Sequence, residues 1–283
     1  MCREMNSTTI LANWFDELWC RLEMIREVYK ITPKLNIVRV GDRSDTSLYV
    51  NSKKKKGQQL QIDVNVLELP ESISQVELNV LMASMDVPTI LQLPLPEHLD
   101  SREAIGHLDP ECDVDGLTPY QKGLLVDNDP RAFIPATAKG VMRLVESYVN
   151  LRDMRVAIVS RSELIGRPLI QCMLNKDAMP IVIHSKISDM FVREQLREAD
   201  VIITGCGGRK LFDHSYFNAF GQVIVDCSMA KVDGIDGVGD CDKESIMNKT
   251  HNTIASGYGH TGPATVMGLM SNVVQYYEMR LNN

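Results

Sequence analysis

Seven short apolar, β-rich runs fix what this chain can fold into: KLNIVRVG (34–41), VNVLELP (64–70), PTILQLPLP (88–96), RVAIVS (155–160), PIVIH (180–184), VIITGC (201–206) and QVIVDCS (222–228). Between most of them lie stretches with helical spacing, among them SISQVELNVLMASM, GVMRLVESYVNL, GRPLIQCMLNKD and SDMFVREQLREA. Strands that alternate with helices predict an α/β layer structure around a largely parallel sheet. Before the first run, Ile10, Leu11, Trp14, Leu18, Leu22 and Ile25 recur at spacings that predict an amphipathic helix over 9–30.

The segment 96–135 breaks the rhythm with several prolines and few apolar runs, which predicts a loop-rich stretch of the kind that carries function. The alternation resumes from Lys139 in a nucleotide-binding texture, and a final helix over roughly 263–281 follows the glycine-rich SGYGHTGP. The predicted division is therefore 1–138 with a returning helix 263–283, and 139–262, as two lobes with a cleft. Within 283 residues the excess of 37 acidic over 30 basic side chains argues against a nucleic-acid binder. Seven scattered cysteines without C-x-x-C or Cys/His zinc spacing read as reduced thiols of a cytosolic protein with no metal site. No apolar run reaches the roughly 18 residues that would span a bilayer, and the N-terminus lacks a leader pattern, so the chain reads as soluble and unprocessed.

Candidate residues sit where strands end. In YVNSKKKKG (49–57), Tyr49 and Lys53 are four apart and share a helical face, with Lys56 close to it, while Lys54 and Lys55 turn away. A lysine partly desolvated beside an aromatic ring could exchange protons; a solvated helix surface is the plain alternative. Gln92 closes an apolar strand just before two prolines. Asp113 and Asp115, ahead of Gly116, either form an Asx turn or grip a heterocycle's N–H donors. In RVAIVSRSELIGRP a strand turns into a helix near Gly166, with Pro168 in its first turn, a phosphate-binding arrangement in which Arg161 and Ser162 could hold an extra ribose phosphate. His184-Ser185 and the glycines 205, 207 and 208 each follow a further strand.

Taken in order, these pieces resemble the methylenetetrahydrofolate dehydrogenase/methenyltetrahydrofolate cyclohydrolase family, the FolD-type bifunctional enzymes, from about Lys34 to about Tyr277. VGD with SLYVNSKKKKG, TILQLPLPEHL, DVDGLTPYQKG, SRSELIGRP, IVIHS, ADVIITGCG, VIVD and GHTGPATVMGLMSN carry the likeness. The resemblance implies a Rossmann-like NAD(P)-binding second lobe and oxidation of 5,10-methylene-tetrahydrofolate followed by hydrolysis to 10-formyl-tetrahydrofolate. It implies that Lys53 is the principal catalytic residue, with Tyr49 stacking on the folate, Gln92 in support and Asp115 on the pterin. Leu91, Leu93, Gly116, Gly259, Gly262 and Pro263 would complete the substrate contacts. Ser160, Arg161, Ser162, Gly166, Ser185 and Met229 would contact the cofactor, NADP or else NAD. It further implies tetrahydrofolate derivatives as partners and a homodimer formed through the cofactor lobe, beside the cytoplasmic location and the absence of a nucleic-acid or membrane partner expected from the composition.

The chain departs from the family pattern with Ser160 at a glycine position, PATA at 135–138, CSMA at 227–230 and SGYGHTGPAT at 256–265. These departures gather on the cofactor side. They leave open a divergent paralogue that keeps folate binding or hydrolysis with altered dinucleotide use, and a folate-binding protein without turnover.

Overall fold

A computed structural model describes residues 2–42, 44–228, 230–232, 235–257 and 259–281. In chain order the elements are β1 (Arg3–Glu4), α1 (Ser7–Tyr29), β2 (Lys34–Val40), α2 (Ser44–Gln59), β3 (Asp63–Leu69), α3 (Gln75–Ala83), β4 (Thr89–Leu91), α4 (Ser101–Gly106), α5 (Pro119–Val126) and α6 (Ala136–Glu146). They continue with β5 (Arg155–Val159), α7 (Gly166–Leu174), β6 (Met179–Ile183), α8 (Asp189–Glu198), β7 (Val201–Thr204), β8 (Phe220–Asp226), β9 (Ala230–Val232), β10 (Ile235–Val238), α9 (Lys243–Lys249), β11 (His251–Ala255) and α10 (Thr261–Leu281). Among the described residues no helix is long and apolar enough to cross a membrane.

The chain forms two compact units, one of Asn13–Ala136 with Val266–Asn283 and one of Met1–Ala12 with Thr137–Thr265. In the first, three parallel strands run in the order β3-β2-β4. The central strand β2 buries Leu35, Ile37 and Val38 completely, as a parallel strand covered on both faces must. Val38 stands opposite Leu91, so the next residue, Gln92, emerges at the carboxyl end of the sheet and its N–H donates to the Val38 carbonyl at 2.8 Å. β4 stops after three residues, shorter than the apolar run, because Pro94 and Pro96 cannot donate to a neighbour. Helix α2 lies close on β3 at Gly57, where a β-carbon would run into the Val64 side chain; this close approach sets the depth of the helix that carries Tyr49 and Lys53.

The second unit is a six-stranded parallel sheet in the order β1-β11-β8-β7-β5-β6. Val159, Ile183, Val192, Leu196, Ile202, Phe212, Phe217, Ile224, Ile246 and Ile254 form its buried core. A run of parallel strands with helices between them is the Rossmann-like arrangement the sequence implied.

Three features differ from the sequence expectations. Residues 1–12 group with the second unit, not the first, because β1 pairs in parallel with β11 and the Met5 amide donates to the Ile254 carbonyl at 2.8 Å. The segment 96–135 contains two short helices, α4 and α5, whose first turns are capped by the Asp100 carboxylate and the Thr118 hydroxyl. Helix α6 begins at Ala136, three residues before the predicted resumption.

Candidate functional site

In the first unit, helical spacing puts Tyr49 and Lys53 on one face of α2. Tyr49 is 45% exposed, Lys53 is half-buried, and Lys54 and Lys55 are exposed. Lys56 does not join them: its ammonium lies over the Phe15 ring of α1, 5.1 Å from the centroid, a cation–π contact. Lys53 Nζ donates to Gln92 Oε1 at 2.9 Å. Gln92 is itself buried, and its Nε2 donates to the Leu93 carbonyl at 2.7 Å, so the amide is held with its oxygen toward the lysine. Leu91 is buried and Leu93 half-buried on either side.

Burial pushes the Lys53 ammonium below the usual lysine range, and the Asp115 carboxylate opposes that shift. Burial raises Asp115 in turn, against the pull of Lys53 and of the Ala136 backbone N–H that it accepts. A lysine so poised gives and takes protons at milder pH than a solvated one.

The two aspartates separate cleanly. Asp113 Oδ2 accepts the Thr118 N–H at 2.6 Å, its carbonyl accepts the Gly116 N–H at 3.2 Å, and its backbone bridges to Thr89. It holds the loop, and burial pushes its carboxyl up to about 6. Asp115 is the one whose charge acts on Lys53. Gly116 turns the chain behind it at φ +69°, and a β-carbon there would strike the Phe133 backbone, with Phe133 C at 3.0 Å and its oxygen nearer.

In the second unit, the carboxyl ends of the neighbouring strands β5 and β6 carry the expected cofactor residues. Ser160 is buried and its hydroxyl lies 3.2 Å from that of Ser162. The Ser162 hydroxyl accepts the N–H groups of Ile165 (3.2 Å) and Gly166 (3.4 Å), so it serves the start of α7 as well as facing solvent. Arg161 and Ser185 are exposed. A β-carbon on Gly166 would lie 2.5 Å from Ser160 C and 2.8 Å from Arg161 N, so only glycine lets the helix start press on the strand end. Met229 lies outside the described residues. Gly259, at φ +96°, is exposed, and Gly262 and Pro263 form the first turn of α10; all three belong to the second unit.

A buried carboxylate network beneath the β7 and β8 ends was not foreseen. Asp240 Oδ2 accepts the Cys206 N–H (2.7 Å) and the Ser228 hydroxyl (2.8 Å), and its Oδ1 accepts the Gly208 N–H (2.6 Å). Ser228 Oγ takes the Gly207 N–H at 3.1 Å. Asp226 accepts the Thr204 and Ser256 hydroxyls at 3.1 and 3.0 Å and the Ser228 and Cys241 N–H groups at 3.0 and 2.9 Å, and burial raises its pKa. The three successive amides after β7 are thus turned inward. The only sequence signal was an aspartate ending each of the runs VIVD and GVGD. His260, at another departure from the family pattern, is buried between the Ser7 hydroxyl (2.6 Å) and Glu4 Oε1 (2.9 Å), tying β1 to the start of α10.

A dinucleotide fits this chemistry. Adjacent parallel strands present Arg161, Ser162 and Ser185 at one edge, and the glycine-opened start of α7 offers a helix N-terminus beside them.

Two family profiles cover most of the chain: the catalytic domain of tetrahydrofolate dehydrogenase/cyclohydrolase matches residues 5–115, and its NAD(P)-binding domain matches residues 135–281. The chain is 32% identical over 254 residues to the bifunctional protein FolD of Ligilactobacillus salivarius, covering 88% of this chain and 87% of that one. Against the FolD of Hydrogenobaculum sp. it is 35% identical over 256 residues, with 88% and 90% covered. The crystal structure of the bifunctional FolD methylenetetrahydrofolate dehydrogenase/cyclohydrolase from Campylobacter jejuni superposes with a TM-score of 0.91 at 28% identity, over 99% of this chain and 100% of that one. The chain belongs to the tetrahydrofolate dehydrogenase/cyclohydrolase family, a family of two-domain enzymes with a catalytic and an NAD(P)-binding part. Nothing in these comparisons favours the two alternatives that the sequence left open.

Proposed function

We propose that this protein oxidises 5,10-methylene-tetrahydrofolate to the methenyl form with NADP and hydrolyses the product to 10-formyl-tetrahydrofolate. The observation that carries the reading is the Lys53–Gln92–Asp115 constellation, a half-buried lysine fixed by a buried amide and matched to one carboxylate. Lys53 exchanges the protons that hydrolysis requires, and burial, by lowering its pKa, suits it to do so at milder pH than a solvated lysine. Gln92 keeps the ammonium on station, and Tyr49 offers its exposed ring as a stacking surface for the folate. Asp115 accepts donors of the pterin ring while holding the charge of Lys53 in balance. Leu91, Leu93 and Gly116 of the same unit complete the substrate contacts.

Ser160, Arg161, Ser162, Gly166, Ser185 and Met229 hold the dinucleotide, with Arg161 suited to the 2′-phosphate that distinguishes NADP. When bound, the nicotinamide supplies the hydride acceptor. The protein's own task in that step is to align two ring systems and exclude water. We further propose a cytoplasmic location and a homodimer joined through the dinucleotide-binding unit.

Both activities should be measured on the purified protein. NADP-dependent absorbance change with methylene-tetrahydrofolate, together with methenyl-tetrahydrofolate hydrolysis above the spontaneous rate, is the expected result. Hydrolysis with no reduction of NADP or NAD would overturn the dehydrogenase half, and folate binding with neither activity would overturn the whole.

A further inference from the structure

The family profiles leave residues 116–134 between them unmatched, and this is where the Asp115 loop is fastened. Asn272, on the part of α10 that belongs to the first unit, is completely buried. Its Nδ2 donates to the Val114 carbonyl and to the Ile134 carbonyl, each at 2.8 Å. Val114 immediately precedes Asp115, and Ile134 lies two residues before Ala136, whose N–H the Asp115 carboxylate accepts. One carboxamide therefore joins both chain segments that bracket Asp115. From the other side Gln121 Oε1 accepts the Phe133 N–H at 2.8 Å and its Nε2 donates to the Pro110 carbonyl at 2.8 Å. Gly116 completes the clamp by letting the Phe133 carbonyl come close.

We infer that Asn272 is a positioning residue for the reaction: by clamping Val114 to Ile134 it sets the place of the Asp115 carboxylate against Lys53. The inference rests on the reading of Lys53 and Asp115 given above. It differs from a general anchoring role, and the same helix supplies the comparison. Gln275, also on α10, makes the same kind of double contact with its Nε2, to the Pro130 carbonyl at 3.2 Å and the Ala132 carbonyl at 3.1 Å. That contact fastens the same loop without adjoining Asp115. Both side chains stabilise the loop; only Asn272 governs the carboxylate.

The two roles are separated by kinetics. Asn272→Ala, Asn272→Ser and Gln275→Ala are compared for methenyl-tetrahydrofolate hydrolysis across pH, below the melting temperature of each, with Lys53→Met alongside. Asn272→Ala should lower kcat by roughly ten- to a hundred-fold, the scale of an ångström-sized misplacement. It should also move the limb of the pH profile that reports Lys53 to lower pH, because a displaced Asp115 no longer holds the proton on Lys53. Asn272→Ser, which keeps one donor, should recover part of both, and carries the test by itself if the alanine variant does not fold. Gln275→Ala should lose stability while keeping the wild-type pH profile and a kcat within about twofold.

Wild-type kcat and pH profile in the folded Asn272 variants would overturn the inference, as would an equal kinetic loss in Gln275→Ala. Full activity in Lys53→Met would instead overturn the underlying reading of Lys53, so the two failures are distinguishable.

Discussion

Gly166→Ala tests the close seat of α7 on the end of β5. The new β-carbon would stand 2.5 Å from Ser160 C and 2.8 Å from Arg161 N, where ordinary contact begins at 3.4 Å. The strand end must therefore retreat by about 0.9 Å from the carbon contact alone (3.4 − 2.5), and the groups in the way are backbone, which cannot rotate aside. Overpacking of this kind costs about 1–3 kcal/mol. Alanine's advantage over glycine in a helix, at most about 1 kcal/mol in an interior position, offsets part of it. A net loss of roughly 1–2 kcal/mol corresponds to a melting temperature lowered by about 2–8 °C. The larger effect falls on the ligand, because the displaced residues are Ser160 and Arg161 and the Ser162 hydroxyl is bonded to the moving Gly166 N–H. NADP titration followed by protein fluorescence should show affinity reduced at least about tenfold, with folate binding retained. A variant as stable as the wild type that binds NADP equally well would refute the reasoning, since it would mean that the helix start is not pressed on the strand.

Three other outcomes follow from the same geometry. Gly116→Ala combines a left-handed φ of +69° with a β-carbon against the Phe133 backbone, and should destabilise by about 2–4 kcal/mol in chemical denaturation. Asp113 has a folded pKa of about 6 against an ordinary 3.8, so the folded state binds its proton more tightly. The stability that proton contributes is present below about pH 4 and lost as pH rises through 6. Asp113→Asn keeps an acceptor for the Thr118 N–H, and its stability relative to the wild type should rise between pH 4 and pH 7, as urea titrations at several pH values would show. Lys54→Ala with Lys55→Ala, both on the exposed side of α2, should change stability by less than about 0.5 kcal/mol and leave hydrolysis rates near wild type.

Much of the architecture was legible because the strands of the second unit are short unbroken apolar runs, the pattern that burial on both faces imposes. β11 was missed for the opposite reason: HNTIA starts with polar residues, and only its position beside β8 makes it a strand. β1 is two exposed residues long, and pairing alone defines it. The capped helices α4 and α5 had local signals, Asp100 ahead of SREA and Thr118 ahead of Pro119, which the surrounding prolines obscured.

At the site, helical spacing brought Tyr49 and Lys53 to one face and turned Lys54 and Lys55 away. It could not say where Lys56 would go, because Phe15 lies on another helix. Nor could spacing tell Asp113 from Asp115, since one residue's fate is set by the Thr118 amide and the other's by Lys53 on a different element. The Asp226 and Asp240 network and the Asn272 clamp are tertiary in the same sense: each joins residues that only folding brings together.

The central claim is that Lys53, poised by burial and held by Gln92, carries the proton transfers of the folate unit. Methenyl-tetrahydrofolate hydrolysis by Lys53→Met, measured on folded protein whose folate binding is verified by titration, tests it most directly. The account predicts a rate no faster than spontaneous hydrolysis; hydrolysis at the wild-type rate would contradict it.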